Sequence, residues 1–171
     1  MKKLPFLGLV LSLISFPAGV AAQERLVSPP VAGFELGHEA ANATQSIREE
    51  VPAGEAVQNW SAIITTQRFA IANPPVERFI EGFRQSLRQS CPAARMTPVE
   101  SASGHGGPAR IFSADCPQSP VTGGRETMTV LAIAGQDALY VKQVAFRDSY
   151  RGDRSWAEGF LRATRLCDAD C

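Results

Sequence analysis

Lysine and histidine are scarce in this 171-residue chain: there are two histidines, His38 and His105, and a single lysine, Lys142, beyond Lys2 and Lys3. Cys-x-x-Cys does not occur, which removes the thioredoxin-type redox pair. Cys91, His105 and Cys116 contain no short chelating spacing, so the usual zinc arrangements are missing as well. Gly-x-Ser-x-Gly is absent, and Ser-x-x-Lys is excluded because Leu139 stands three positions before Lys142. Basic and acidic residues are balanced at 17 each, without the basic excess or stripe that a nucleic-acid partner requires. No repeat, charge block, metal set or cofactor motif is found, and none of these is expected in the fold.

What is present begins with an address. Lys2 and Lys3 precede an apolar run from Leu4 to Phe16, and small residues follow up to Ala21-Ala22. This is the order of a secretory signal peptide, too short in its apolar part to span a bilayer comfortably. Cleavage after Ala22 is expected, with no cysteine close behind to accept a lipid. Removing 22 of 171 residues leaves 149, and removing Lys2 and Lys3 leaves 15 basic against 17 acidic residues. No later apolar stretch is of membrane-spanning length. The expectation is one periplasmic or secreted domain, not inserted in a membrane after signal cleavage.

Export makes the four cysteines, Cys91, Cys116, Cys167 and Cys171, candidates for disulfides. Three pairings are possible. Cys91 ends an expected helix and Cys116 an expected strand, and each precedes a proline, which favours a clasp between these two. Cys167 and Cys171 either close a small terminal ring or leave Cys167 as a buried thiol on the apolar face of the last helix.

Residues 23–33 are rich in turn formers and read as an exposed, flexible leader to a single domain over 34–171. Phe34 to Glu39, Thr44 to Val51 and the AIITTQRFAI stretch then read as strands. Asn73-Pro74-Pro75 supplies a capped helix start, and Val76, Phe79, Ile80, Phe83 and Leu87 recur at helical spacing. Arg95 to Ser101 and Ala109 to Cys116 are strands, separated by a mobile Gly104-His105-Gly106-Gly107 tip. Arg125 to Ala134 and Ala138 to Arg147 form a hairpin. Ser155 and Glu158 match a capping box that opens a last helix, whose face carries Trp156, Phe160, Ala163 and Cys167. The fold class expected is α+β, a single mostly antiparallel β-sheet with two amphipathic helices packed on it, in the order βββαββββα.

Asn59-Trp60-Ser61 before Thr66-Gln67-Arg68-Phe69, the upstream Thr44 to Glu49, Cys91-Pro92, Ser113 to Pro117, Ala138 to Arg147 and Cys167-Asp168 form an ordered set. The set resembles a family of small exported, periplasmic proteobacterial proteins and covers most of residues 34 to 168. No catalytic residue carries over from that family. The element order is also similar to PsbP-like domains, in which an antiparallel sheet sits between helices, and this resemblance implies binding or assembly. The glycine-rich loop at 104–107 and Cys171 depart from the nearer family's pattern.

Candidate chemistry is sparse. The polar connection before the last helix gathers Arg147, Tyr150, Arg151 and Arg154 as a possible surface for an anionic ligand or a partner. Trp60 and Trp156 fall where apolar periodicity places core residues. Glu49 and Glu50, adjacent in a strand, point to opposite faces and cannot share a cleft. The leading expectation is a non-catalytic binding or assembly module whose partner is an envelope protein or a small ligand. The alternative is a small hydrolase with a site assembled from separate loops, which requires His38, His105, Glu49, Asp115 and Asp148 to converge in part.

Overall fold

The computed structural model describes residues 24–147 and 154–167. The expected signal segment and Cys171, Tyr150, Arg151 and Asp148 lie outside these residues. In chain order the elements are β1 (Arg25–Val27), β2 (Phe34–Ala41), β3 (Gln45–Pro52), β4 (Ala62–Ala70), α1 (Val76–Ser90), β5 (Arg95–Met96), β6 (Glu100–Ala102), β7 (Ala109–Cys116), β8 (Glu126–Ala134), β9 (Ala138–Arg147), α2 (Arg154–Arg162) and β10 (Arg165–Cys167). Eight strands form one antiparallel sheet in the order β2-β3-β4-β9-β8-β7-β5, with β6 also on β7, while β1 and β10 pair as a separate ribbon. This is the α+β architecture read from the sequence. No helix among the described residues is long and apolar enough to cross a membrane.

The helices lie on opposite faces of the sheet, because successive strand residues point to opposite sides. On one face Val76 and Ile80 of α1 meet Phe112, Ala114, Val130, Ala132, Leu139 and Val141. On the other, Ala157, Phe160 and Leu161 of α2 meet Ile64, Ile111, Leu131, Ile133, Tyr140 and Phe146. β9 is therefore buried along almost its whole length, which its near-continuous apolar sequence permits.

Cys91 and Cys116 form the expected disulfide, with their Cα atoms 6.1 Å apart. Both are buried, so the bond joins the end of α1 to the end of β7 inside the core. Cys167 is also in a disulfide rather than a free thiol.

Local geometry departs from the sequence reading at five places. Residues 25–27 of the supposed leader are strand β1, whose Leu26 faces Leu166. The last helix stops at Arg162, and Cys167 belongs to β10 instead of a helical face, because the residues after it hydrogen-bond to β1 and to the loop at 105. α1 has no side-chain cap: Pro75 occupies the cap position, and Asn73 sits at φ 49°, its amide donating to the carbonyl of Gln136. The strand expected at 95–101 is split into β5 and β6 around Pro98, which has no amide to donate. Three residues between Met96 and Glu100 oppose two between Ala114 and Ile111, so the strand bulges there.

The fifth departure is the loop at 104–107, which is a plug rather than a mobile tip. His105 is 1 % exposed. Its Nδ1 donates to the Thr164 carbonyl at 2.5 Å, and its own carbonyl accepts from Leu166 N at 2.8 Å. A carbonyl can only accept, so the proton sits on Nδ1. Gly106, at φ 79°, and Gly107 let the loop press against the Leu166 and Ala134 carbonyls, where any Cβ would collide.

The outer strand β2 is open to solvent on its far edge, and its sequence guards that edge. Gly37 is an extra residue between the Leu36–Glu50 and His38–Glu49 pairs. A bulge together with Glu35, His38 and Glu39 is the usual protection against pairing with another chain. The bulge needs glycine, because a Cβ there would press on Val51 and Val57.

Candidate functional site

Antiparallel register sets one row of side chains straight across the face of the sheet that carries α2. Glu39 pairs with Arg48, Arg48 with Thr66, Thr66 with Lys142, and Lys142 with Leu131. The row is polar at the β2 end and apolar at the β8 end. Lys142 stands at the boundary, on the same side as Tyr140, Val144 and Phe146.

This position is covered by the chain's own beginning. After β1 the chain runs through Ser28-Pro29-Pro30-Val31 over the sheet. Ser28 is tied down by the Thr164 hydroxyl, which donates to its Oγ at 2.9 Å. The two prolines stiffen this strap. Between strap and sheet lies a cleft of about 280 Å³, walled by Leu26 and residues 28–31 above, by Arg48, Glu50, Thr66 and Lys142 below, and by Phe160 of α2 at the side.

Lys142 is 7 % exposed. Its ammonium sits 5.2 Å from the centre of the Phe160 ring, a favourable cation–π contact. Among the described residues it makes no hydrogen bond or ion pair. Arg48, by contrast, is engaged with Glu50 at 3.4 Å and Glu39 at 3.7 Å. Burial strips water from the Lys142 ammonium and pushes its pKa below the ordinary lysine value; Glu50 opposes this shift and Arg48 adds to it. A mostly buried charge without a partner is costly, and Lys142 lines the cleft, its Nζ not being among the fully buried atoms that lack a partner.

A stability consequence follows from the sign of that shift. The unfolded chain holds the Lys142 proton to higher pH than the folded one does, so stability rises with pH between the depressed folded value and the ordinary lysine value. Below that window the buried charge weakens the fold. Lys142→Met fills similar volume without the charge and is expected to raise the free energy of unfolding at pH 7 by about 1–2 kcal/mol. Urea titrations at pH 7 and pH 10 check this: the gain should shrink at the higher pH, and a variant less stable than wild type at pH 7 contradicts it.

The sites read from the sequence are dispersed. Arg147 ends β9 with its guanidinium 4.2 Å above the Trp60 ring, so it is committed to covering a core tryptophan. Arg154 is exposed at the start of α2, and Tyr150 and Arg151 lie outside the described residues. His105 is sealed behind Thr164. Asp115 is clamped by Arg125 through bonds of 2.9 and 2.7 Å, which hold its carboxyl below the usual range. His38 and Glu49 face each other across β2 and β3, far from His105. Trp60 is core as expected, whereas Trp156 remains 37 % exposed, stacked on Phe160 with ring centres 5.5 Å apart.

Two other hollows carry less. One at the open end of β2–β4 includes Asn42, whose side-chain oxygen already accepts from Thr44 and Gln45. The other, beside Gly106 and Gly135, includes Glu24, whose carboxylate is taken by the Gln136 amide. Among the described residues no group of three or more His, Cys, Asp or Glu side chains is arranged to hold a metal ion. No protein-family model matches the chain, and no curated protein matches it either.

Proposed function

We propose that this chain is an exported, non-catalytic binding module of the periplasm, stabilised by its disulfides, that takes a small carboxylate-bearing ligand in the cleft beneath the N-terminal strap. One observation carries the reading: Lys142 is a buried residue, 7 % exposed, that makes no hydrogen bond or ion pair among the described residues and lines a cleft of about 280 Å³. The walls suit such a ligand, with Leu26, Val31 and Phe160 taking an apolar body and Lys142 and Thr66 taking the charged end. Export is supported by the signal-like order of residues 1–22 and by the disulfides. The similarity of the element order to PsbP-like domains also favours binding over catalysis, as an analogy of fold.

Thermal unfolding of the mature protein against a panel of short carboxylates tests the reading. A ligand that binds only the folded state raises Tm with its concentration. The expected result is a saturating rise for at least one member with wild type and none with Lys142→Met. Equal responses from the two proteins, or no response to any member, refute it. Recovery of the protein from the cytoplasmic fraction of its cell would refute the export half separately.

A further inference from the structure

The arrangement around Lys142 has a chemical capacity beyond holding a charge. We infer that Lys142 captures carbonyl compounds covalently, forming an imine with a small 2-oxo acid that enters the cleft beneath the strap. The inference rests on the binding reading above and narrows its ligand to a carboxylate with an adjacent carbonyl.

Three features converge. Lys142 is the only side-chain amine after residue 3, and it lines an open cleft rather than being packed shut. Desolvation lowers its pKa, so at a given pH a larger share of it is the neutral amine than for a surface lysine, and only the neutral amine is a nucleophile. Glu50 and Arg48 line the same cleft. Glu50 is the only carboxylate among the described lining residues and so the group able to carry protons. Arg48 offers a guanidinium to the ligand's carboxylate.

The chemistry balances without a redox partner. The Nζ lone pair bonds to the carbonyl carbon while the C=O π pair moves to oxygen. Nζ loses a proton, and oxygen gains one, to give a carbinolamine. Nitrogen gives up its second proton as its lone pair forms C=N, and the C–O bond breaks with oxygen leaving as water. One amine and one carbonyl compound yield one imine and one water, with Glu50 relaying the protons. Phe160 and the strap prolines hold bulk water back from the imine, which slows its hydrolysis.

Glyoxylate with sodium cyanoborohydride at pH 7 is the probe, since reduction fixes the imine as a carboxymethyl group on nitrogen. Peptide mass mapping of the mature protein is expected to place it on Lys142, formed roughly tenfold or more faster in the folded protein than in the same protein in guanidinium chloride. Glu50→Gln should slow it, and Lys142→Arg, which keeps the charge, should abolish it. Equal rates folded and unfolded, or labelling confined to the chain's α-amine, overturn the inference. Glycolate, which keeps the carboxylate and lacks the carbonyl, separates this inference from the binding reading. A saturating Tm rise with glycolate but no glyoxylate adduct means that binding stands and imine formation fails. An adduct that glycolate does not slow means that the imine stands and carboxylate recognition fails. Neither adduct nor Tm rise removes both.

Discussion

Replacing Cys91 and Cys116 together by alanine lowers the free energy of unfolding by about 3–4 kcal/mol, a large part of what a domain of this size possesses. The bond closes 25 residues of sequence and ties the weakly paired β5–β6 edge of the sheet to the end of α1. β5 contributes two pairs to β7 and β6 three, and between them the chain bulges around Pro98. Without the clasp the unfolded chain gains the freedom of an open loop, while the native edge keeps these short pairings, the Thr97–Ser113 bonds, the Arg162–Glu100 ion pair and the Arg84 bond to the Thr97 carbonyl. Urea unfolding of the double variant beside wild type, each with its m-value, measures the effect. A loss below about 1 kcal/mol would mean that the segment is organised by its packing rather than by the bond. Cleavage between residues 91 and 116 adds a second check, because the fragments should stay joined until reductant is added.

Gly106→Ala is expected to be nearly as damaging, at about 3 kcal/mol or more, and Gly104→Ala to cost only about 1 kcal/mol. The two glycines have nearly the same left-handed φ, 79° and 81°, so the price of an L-residue's backbone strain is common to both. They differ in surroundings. A Cβ on Gly104 meets nothing within 4 Å, whereas on Gly106 it is driven into the carbonyl of Leu166. That carbonyl cannot retreat, because Leu166 is held by β1 on one side and by the His105 carbonyl on the other. Relieving the collision means withdrawing His105 from its seat at Thr164. Chemical denaturation of the two single variants, run in parallel, isolates the close approach from the strain; equal losses would show that the plug is loose.

The sheet was legible because its strands obey local rules. Ala138 to Arg147 and its partner alternate or run apolar over nine and ten residues, with Gly135-Gln136-Asp137 as a turn between them, and no distant contact is needed to recognise that. α1 shows its stripe of Val76, Ile80 and Phe83 regardless of how it starts. The errors fall where structure depends on something far away. Arg165 to Cys167 has no strand signal of its own and becomes one only because Arg25 to Val27 lies beside it. His105 looks like a loop residue until Thr164, 59 positions later, offers a carbonyl. Lys142 left a readable trace: it occupies an inward position in the alternation Tyr140, Lys142, Val144, Phe146, where lysine is out of place. What the strand could not reveal is the register that brings Arg48 and Thr66 into its row, or the strap that closes the cleft over it.

The ribbon of β1 and β10 imposes an order in time. Polypeptide is delivered amino end first, so Leu26 and the two prolines behind it wait unanchored until residues 165–167 have followed, long after Lys142 has taken its place between β4 and β8. The roof over the amine is thus the last part of the molecule to be fastened, and nascent or truncated chains ending before residue 165 present that amine uncovered. The cleft beneath the strap is thereby complete only in chains that extend through residue 167.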